Sequence, residues 1–265
     1  MAALLVAMSD IVHAVLRGTH VGLGFAGLAL FWWIVARPKG TNAHRRAGRA
    51  FVWIAYIVGG TALVSSLWAV IDVDSFAPII GKEASPERRD GLRELFRFLF
   101  LILLYLSAAT LAGAVFGMRL VRYRERLAEL RRTSVPWWQA LSMACAMLLV
   151  AFGTWRLISG APTNGMLPRA AYQVPLYLGL FGVAAGVREI RFVFRREHEP
   201  RSWLFKHIET LLGTGTAFHT AFIVFGAGRL FGFQIDGVWA LVPWVAPPLI
   251  GTALTGWYLR RVRRG

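Results

Sequence analysis

Lys206-His207-Ile208-Glu209-Thr210-Leu-Leu-Gly-Thr-Gly-Thr-Ala-Phe-His219-Thr-Ala-Phe-Ile-Val-Phe-Gly-Ala-Gly-Arg229 decides the fold class. A helix needs about 20 mostly apolar residues to cross a bilayer, at about 1.5 Å of rise each, and this run has the length and the composition. It also carries His207, Glu209, His219 and four threonines. An ionisable side chain inside a membrane span is costly, so it turns to protein, water or a cofactor rather than to lipid. The stretch therefore reads as a membrane helix that lines a site.

The same reading, carried outward, predicts seven spans at about 11–36, 50–71, 95–118, 137–158, 170–187, 207–228 and 238–259. The expected architecture is an all-α, seven-helix integral membrane bundle forming a single transmembrane domain over residues 1–265. A hydrophobic fraction of 56% with 11 tryptophans argues against a soluble domain. The formal charge of +16 would elsewhere point to nucleic acid. Here 21 of the 30 lysines and arginines sit in the short segments 37–49, 119–136, 188–206 and 260–265. That is the pattern of cytoplasmic loops, and it predicts an outside N-terminus and a cytoplasmic C-terminus. The odd number of spans agrees. The expected location is a bacterial inner membrane, with the basic loops against anionic lipid headgroups. A membrane partner protein or a homo-oligomer stays open.

Met1–Met8 lacks a basic n-region, so the first helix is expected to stay attached. A lone cysteine, Cys145, excludes an intramolecular disulfide and a cysteine-built zinc or iron–sulfur site. The stretch 72–94 is the only loop with room for a lid, and Ser85-Pro86-Glu87 suits the start of a short surface helix. Pro243, Pro247 and Pro248 predict a kink in the last span.

Polar residues within the spans mark candidate sites. His13, Arg17 and His20 share one face of the first helix, and Gly24 and Gly27 continue it. Glu209, Gly213, Thr216 and Thr220 share a face of the sixth, with His219 about 60° around. His20 lies about 22–25 Å above Arg37, and His219 about 18 Å above His207. If the first and sixth helices are neighbours, these matched depths let His20 and His219 ligate haem b or a transition metal, which would suit electron transfer. The alternative is one interhelical hydrogen bond from each. His44, His207 and Glu209 form a candidate metal site at the cytoplasmic edge. His207 and His219 stand about 120° apart around their helix, which argues against two stacked haems. His198, between Glu197 and Glu199, is expected in solvent.

No phosphate-binding loop, dinucleotide fingerprint, His-Glu-x-x-His or nucleophile elbow occurs. The loop His44-Arg45-Arg46-Ala-Gly48-Arg49 and the segment His219-Thr220-Ala221-Phe222 resemble motifs of bacterial polytopic membrane proteins of unknown function. That resemblance implies an integral membrane fold and no particular activity. The histidine-bearing spans are also similar to those of b-type cytochromes and ferric-reductase-like membrane proteins, which implies haem held between helices. Three classes of function follow: a redox or metal protein, a binder or transporter of a small solute or lipid, and a structural or assembly partner without cofactor.

Overall fold

The computed structural model describes residues 2–83, 85–159, 167–227 and 242–264, with 231, 232 and 239. Side chains of residues 2–10, 12 and 13 fall outside the description, and so do Arg229 and the expected start of the last span at Val238. His13 is therefore placed by its backbone alone. Every described element is helical: α1 Ala2–Ala36, α2 Asn42–Ile71, short α3 Val73–Phe76 and α4 Ile79–Lys82, α5 Pro86–Arg122, α6 Val135–Ile158, α7 Gln173–Phe194, α8 Ser202–Ala221 and α9 Val242–Arg264. A π-helical stretch, Phe222–Ala227, extends α8. Six helices, within 14–36, 42–71, 86–122, 135–158, 169–194 and 202–227, are long and apolar enough to cross a membrane. α9 is not one of the six. Its glycines, threonines and prolines, with Pro247 and Pro248 inside the helix, dilute its apolar content.

Several ends lie beyond their expected positions. α2 begins with Thr41 as N-cap, whose hydroxyl accepts from the His44 amide at 3.2 Å, so the basic motif is helical rather than a loop. Ser85 caps α5, and Pro86 occupies its first turn. The short surface helix expected there is instead the start of the 37-residue α5. The segment expected as a lid folds into α3 and α4. Val73, Ala77 and Ile80 are buried against Leu92 and Phe96 of α5. Arg93 pairs with Asp74 at 2.9 Å, which ties this cap to α5.

α5 is the axis of the bundle, and in its most apolar stretch 61% of residues are buried. It packs on α2, α6 and α8. α6 and α7 approach backbone to backbone: a Cβ added at Gly179 would stand 2.7 Å from the Ala146 carbonyl oxygen, and one at Gly153 2.8 Å from the Leu176 amide nitrogen. α1 lies at the opposite extreme, with 6% of its apolar stretch buried. It runs antiparallel to α8, with Phe31 against Gly215, Gly27 against Phe218 and Phe25 against Phe222. The segments 37–41, 123–134 and 195–201 and the end of α9 gather at one end of the bundle, here termed the basic end; α3 and α4 cap the far end.

Candidate functional site

A chamber of about 490 Å³ opens between α1, α2, α5 and α8. Its wall is apolar, with Val21, Phe25 and Leu28 from α1, Val58 from α2, Leu103 and Leu106 from α5, and Phe218, Phe222 and Phe225. Arg17, His20, Ser107 and Thr110 supply its polar side chains. Part of the wall is the π-helical stretch, and such stretches occur frequently at functional sites. Gly24 also lines the chamber, and a Cβ added there would meet nothing within 4 Å.

His20 is held in one orientation. Its Nδ1 lies 3.2 Å from the Val58 carbonyl oxygen and 3.2 Å from Thr61 Oγ1. The Thr61 hydroxyl itself donates to the Ile57 carbonyl at 2.9 Å. A carbonyl only accepts, so Nδ1 carries the proton and Nε2 is left as the lone-pair nitrogen. Ser107 donates to the Leu103 carbonyl at 2.6 Å and keeps its acceptor capacity. Arg17, one turn from His20 on the same helix, makes no ion pair among the described residues.

α1 and α8 are neighbours, yet His20 and His219 line different cavities. His219 faces a second one, of about 650 Å³, between α1, α8 and α9. The antiparallel pairing puts His219 level with Gly27, seven residues and about 10 Å from His20 along α1. Most of that separation is already in the counts of about 25 and 18 Å from the helix ends, and a small axial offset between α1 and α8 adds the rest. Both ring nitrogens of His219 are engaged: Nδ1 donates to the Gly215 carbonyl at 2.7 Å, and Nε2 accepts from Trp32 Nε1 at 2.8 Å.

His44, in the first turn of α2, and His207, early in α8, both lie at the basic end. His207 Nδ1 donates to the Gly117 carbonyl at 2.9 Å, while His44 Nδ1 is buried without a partner. Both carboxylate oxygens of Glu209 face cations, Arg188 at 2.9 Å and Lys206 at 3.1 Å. The buried Lys206 also holds Glu189 at 2.8 Å. Among the described residues no group of three or more His, Cys, Asp or Glu is placed to hold a metal ion. His198 is half-buried rather than in solvent, its ring 4.7 Å from that of Phe192. Burial, and then the Arg195 charge, holds its pKa below the ordinary value.

A second polar centre, near the far end, has no signature in the sequence. Arg156 of α6 pairs with Glu94 of α5, and its Nη2 donates to Tyr172 Oη at 3.1 Å. Tyr172 is fully buried and donates its hydroxyl to Glu94. The Arg156 guanidinium lies 4.7 Å from the centre of the Tyr172 ring. Arg156 and Glu94 keep only 9% and 15% of their side-chain surface exposed, so this is a buried, hydrogen-bonded ion pair joining three helical elements. Its members lie 62 and 78 residues apart along the chain, and only the packing of α5 on α6 brings them together.

No protein-family model matches the chain, and neither does any curated protein or solved structure.

Proposed function

We propose that this chain is a seven-helix inner-membrane protein, with its N-terminus outside and its C-terminus in the cytoplasm. In this reading it binds a small, largely apolar, membrane-soluble molecule in the chamber beneath α1. The uneven distribution of lysine and arginine supports the orientation. The observation that carries the ligand reading is His20, an imidazole fixed by a backbone carbonyl at the edge of a largely apolar chamber. Binding sites of this class pair an apolar wall with a few fixed polar groups that orient the ligand. Nε2 of His20 accepts from the polar end of the ligand, and Arg17 stands beside it as a cation. α1, the least buried of the six apolar helices, gives access from the bilayer.

The test is native mass spectrometry, with extraction of bound organic molecules, on protein purified in mild detergent. A stoichiometric apolar adduct is expected in the wild type. It is lost in Gly24→Leu, whose Cβ meets nothing within 4 Å and whose branched end narrows the chamber, and weakened in His20→Ala. An adduct that survives Gly24→Leu unchanged overturns the reading.

His20 also supports a second reading, electron transfer through haem b bound in this chamber. A metal-ligating histidine characteristically donates its other ring N–H to a carbonyl or carboxylate, as His20 Nδ1 does to Val58. The absorption spectrum of the same preparation, oxidised and then reduced, separates the readings. A Soret band that moves on reduction and disappears in His20→Ala supports haem. A colourless preparation carrying an organic adduct supports the first reading.

A further inference from the structure

The larger cavity, bounded by α1, α8 and α9, carries an independent inference. It is divided from the chamber by the α1–α8 contact, where Gly27 meets Phe218 and Gly215 meets Phe31. Its lining extends along α9 from Val242 to Tyr258, which is about 24 Å of helix. Phe31, Val35, Ile223, Ile250 and Leu254 make the wall almost wholly apolar. Of its polar groups, His219 is already bonded to Trp32 and Gly215. Thr216 and Thr255 add two hydroxyls, and no charged side chain is among the lining residues, so the groove is long and apolar with no ionic anchor along its length.

The anchor is at the basic end. Tyr258 closes the groove, and Lys39 Nζ lies 5.8 Å from the centre of its ring. Lys39 donates to the Ile34 and Val35 carbonyls at 2.7 and 2.8 Å, which fixes its ammonium at the C-terminus of α1 and leaves one of its three N–H groups for another acceptor. Arg37 lies over Trp33 at 4.8 Å, and Arg261 over Trp257 at 5.7 Å. Arg37, Lys39 and Arg261 form no ion pair with a carboxylate among the described residues. Aromatic rings and unpaired cations at one mouth of an apolar groove match a lipid with an anionic head and a long hydrocarbon chain.

We propose that this groove is a binding site for one anionic phospholipid, its acyl chain between α1, α8 and α9 and its phosphate at Lys39 and Arg261. The bound lipid then supplies packing that the protein lacks between α1 and α9. The test uses delipidated protein in neutral detergent, with dioleoyl-phosphatidylglycerol or dioleoyl-phosphatidylcholine added, read by thermal midpoint and native mass spectrometry. At about a hundredfold excess over its dissociation constant, phosphatidylglycerol is expected to raise the midpoint by about 5 °C, and phosphatidylcholine by less than half of that.

In Arg261→Ala, which leaves the Lys39 cap intact, the preference falls to less than half while the lipid-free midpoint stays. Ala246→Phe, which fills the groove, abolishes adducts of both lipids. Should Ala246→Phe itself lower the lipid-free midpoint, the charge variant decides alone. Glycerol phosphate, a head without a chain, is expected to give no shift. Equal stabilisation by the two lipids, an undiminished preference in Arg261→Ala, a full shift with glycerol phosphate, or a lipid-free dimer abolished by Ala246→Phe each overturns the proposal.

Discussion

Replacing Glu94 with leucine strips the buried Arg156 guanidinium of its carboxylate. Among the contacts that stay with that cation are the Tyr172 hydroxyl at 3.1 Å, the Tyr172 ring at 4.7 Å and the Trp155 ring at 5.5 Å. Removing one partner of a buried pair costs about 3–5 kcal/mol, because the other charge stays buried and uncompensated. The residual cation–π contact places Glu94→Leu near the lower end, at about 3 kcal/mol. Arg156→Met leaves Glu94 with the Tyr172 hydroxyl as donor and belongs in the same range. Together the double variant removes both charges and orphans only the Tyr172 hydroxyl, a cost of about 1–3 kcal/mol. The two single costs would sum to about 6 kcal/mol, so the coupling is expected at about 3–5 kcal/mol. This far exceeds the average of about 0.6 kcal/mol for polar pairs between membrane helices. The assay is reversible denaturant unfolding in mixed micelles of the wild type, both single variants and the double variant. If the double variant costs the sum of the singles to within about 0.5 kcal/mol, the pair is not coupled and the reasoning fails.

Three further outcomes test other parts of the structure. Gly179→Ala, which drives a Cβ to 2.7 Å from the Ala146 carbonyl, is expected to cost about 1–3 kcal/mol by overpacking in the same unfolding assay. Gly22→Ala, with nothing within 4 Å of the added carbon, is its near-neutral control. Trp32→Phe removes the indole N–H donated to His219 and is expected to lower stability by about 1 kcal/mol, a loss that Trp32→Phe/His219→Phe does not double. His198 has its pKa lowered in the fold, so the unfolded chain binds its proton more readily. Its contribution is complete above the ordinary pKa of 6.5 and falls as the pH drops through that value; the gap in thermal midpoint between wild type and His198→Phe is expected to change in that window and nowhere else.

Positions of the apolar helices were legible in the sequence because membrane spans announce themselves by local composition. Their ends were less so. The Arg45, Arg46 and Arg49 cluster reads as a loop by charge, yet the Thr41 cap carries α2 through it. The acidic stretch before Leu95 hid nine helical residues of α5 behind Ser85. Function-bearing contacts were harder, because they depend on which helices touch and with what offset. His20 was singled out by its depth, and it does line a chamber. Its expected pairing with His219 treated depths of about 25 and 18 Å from the helix ends as one level, whereas the α1–α8 pairing sets the two residues about 10 Å apart along α1. Glu94 and Arg156 went unnoticed for a related reason. Each lies near the end of its own helix, and neither residue alone signals burial.

The contrast between the interlocked α6–α7 hairpin and the sparsely buried α1 has a mechanical meaning. Gly153 and Gly179 let two backbones touch, so separating that hairpin breaks many short-range contacts within a small displacement. α1 instead meets α8 through a few aromatic edges, and those yield one at a time. A molecule drawn by its N-terminus is therefore expected to release α1 from α8 first and from its longer seam with α2 next, before the α6–α7 pair yields. Drawn from both ends, it keeps the α6–α7 pair as the last piece to leave the bilayer, a brittle clasp joined to a compliant flap.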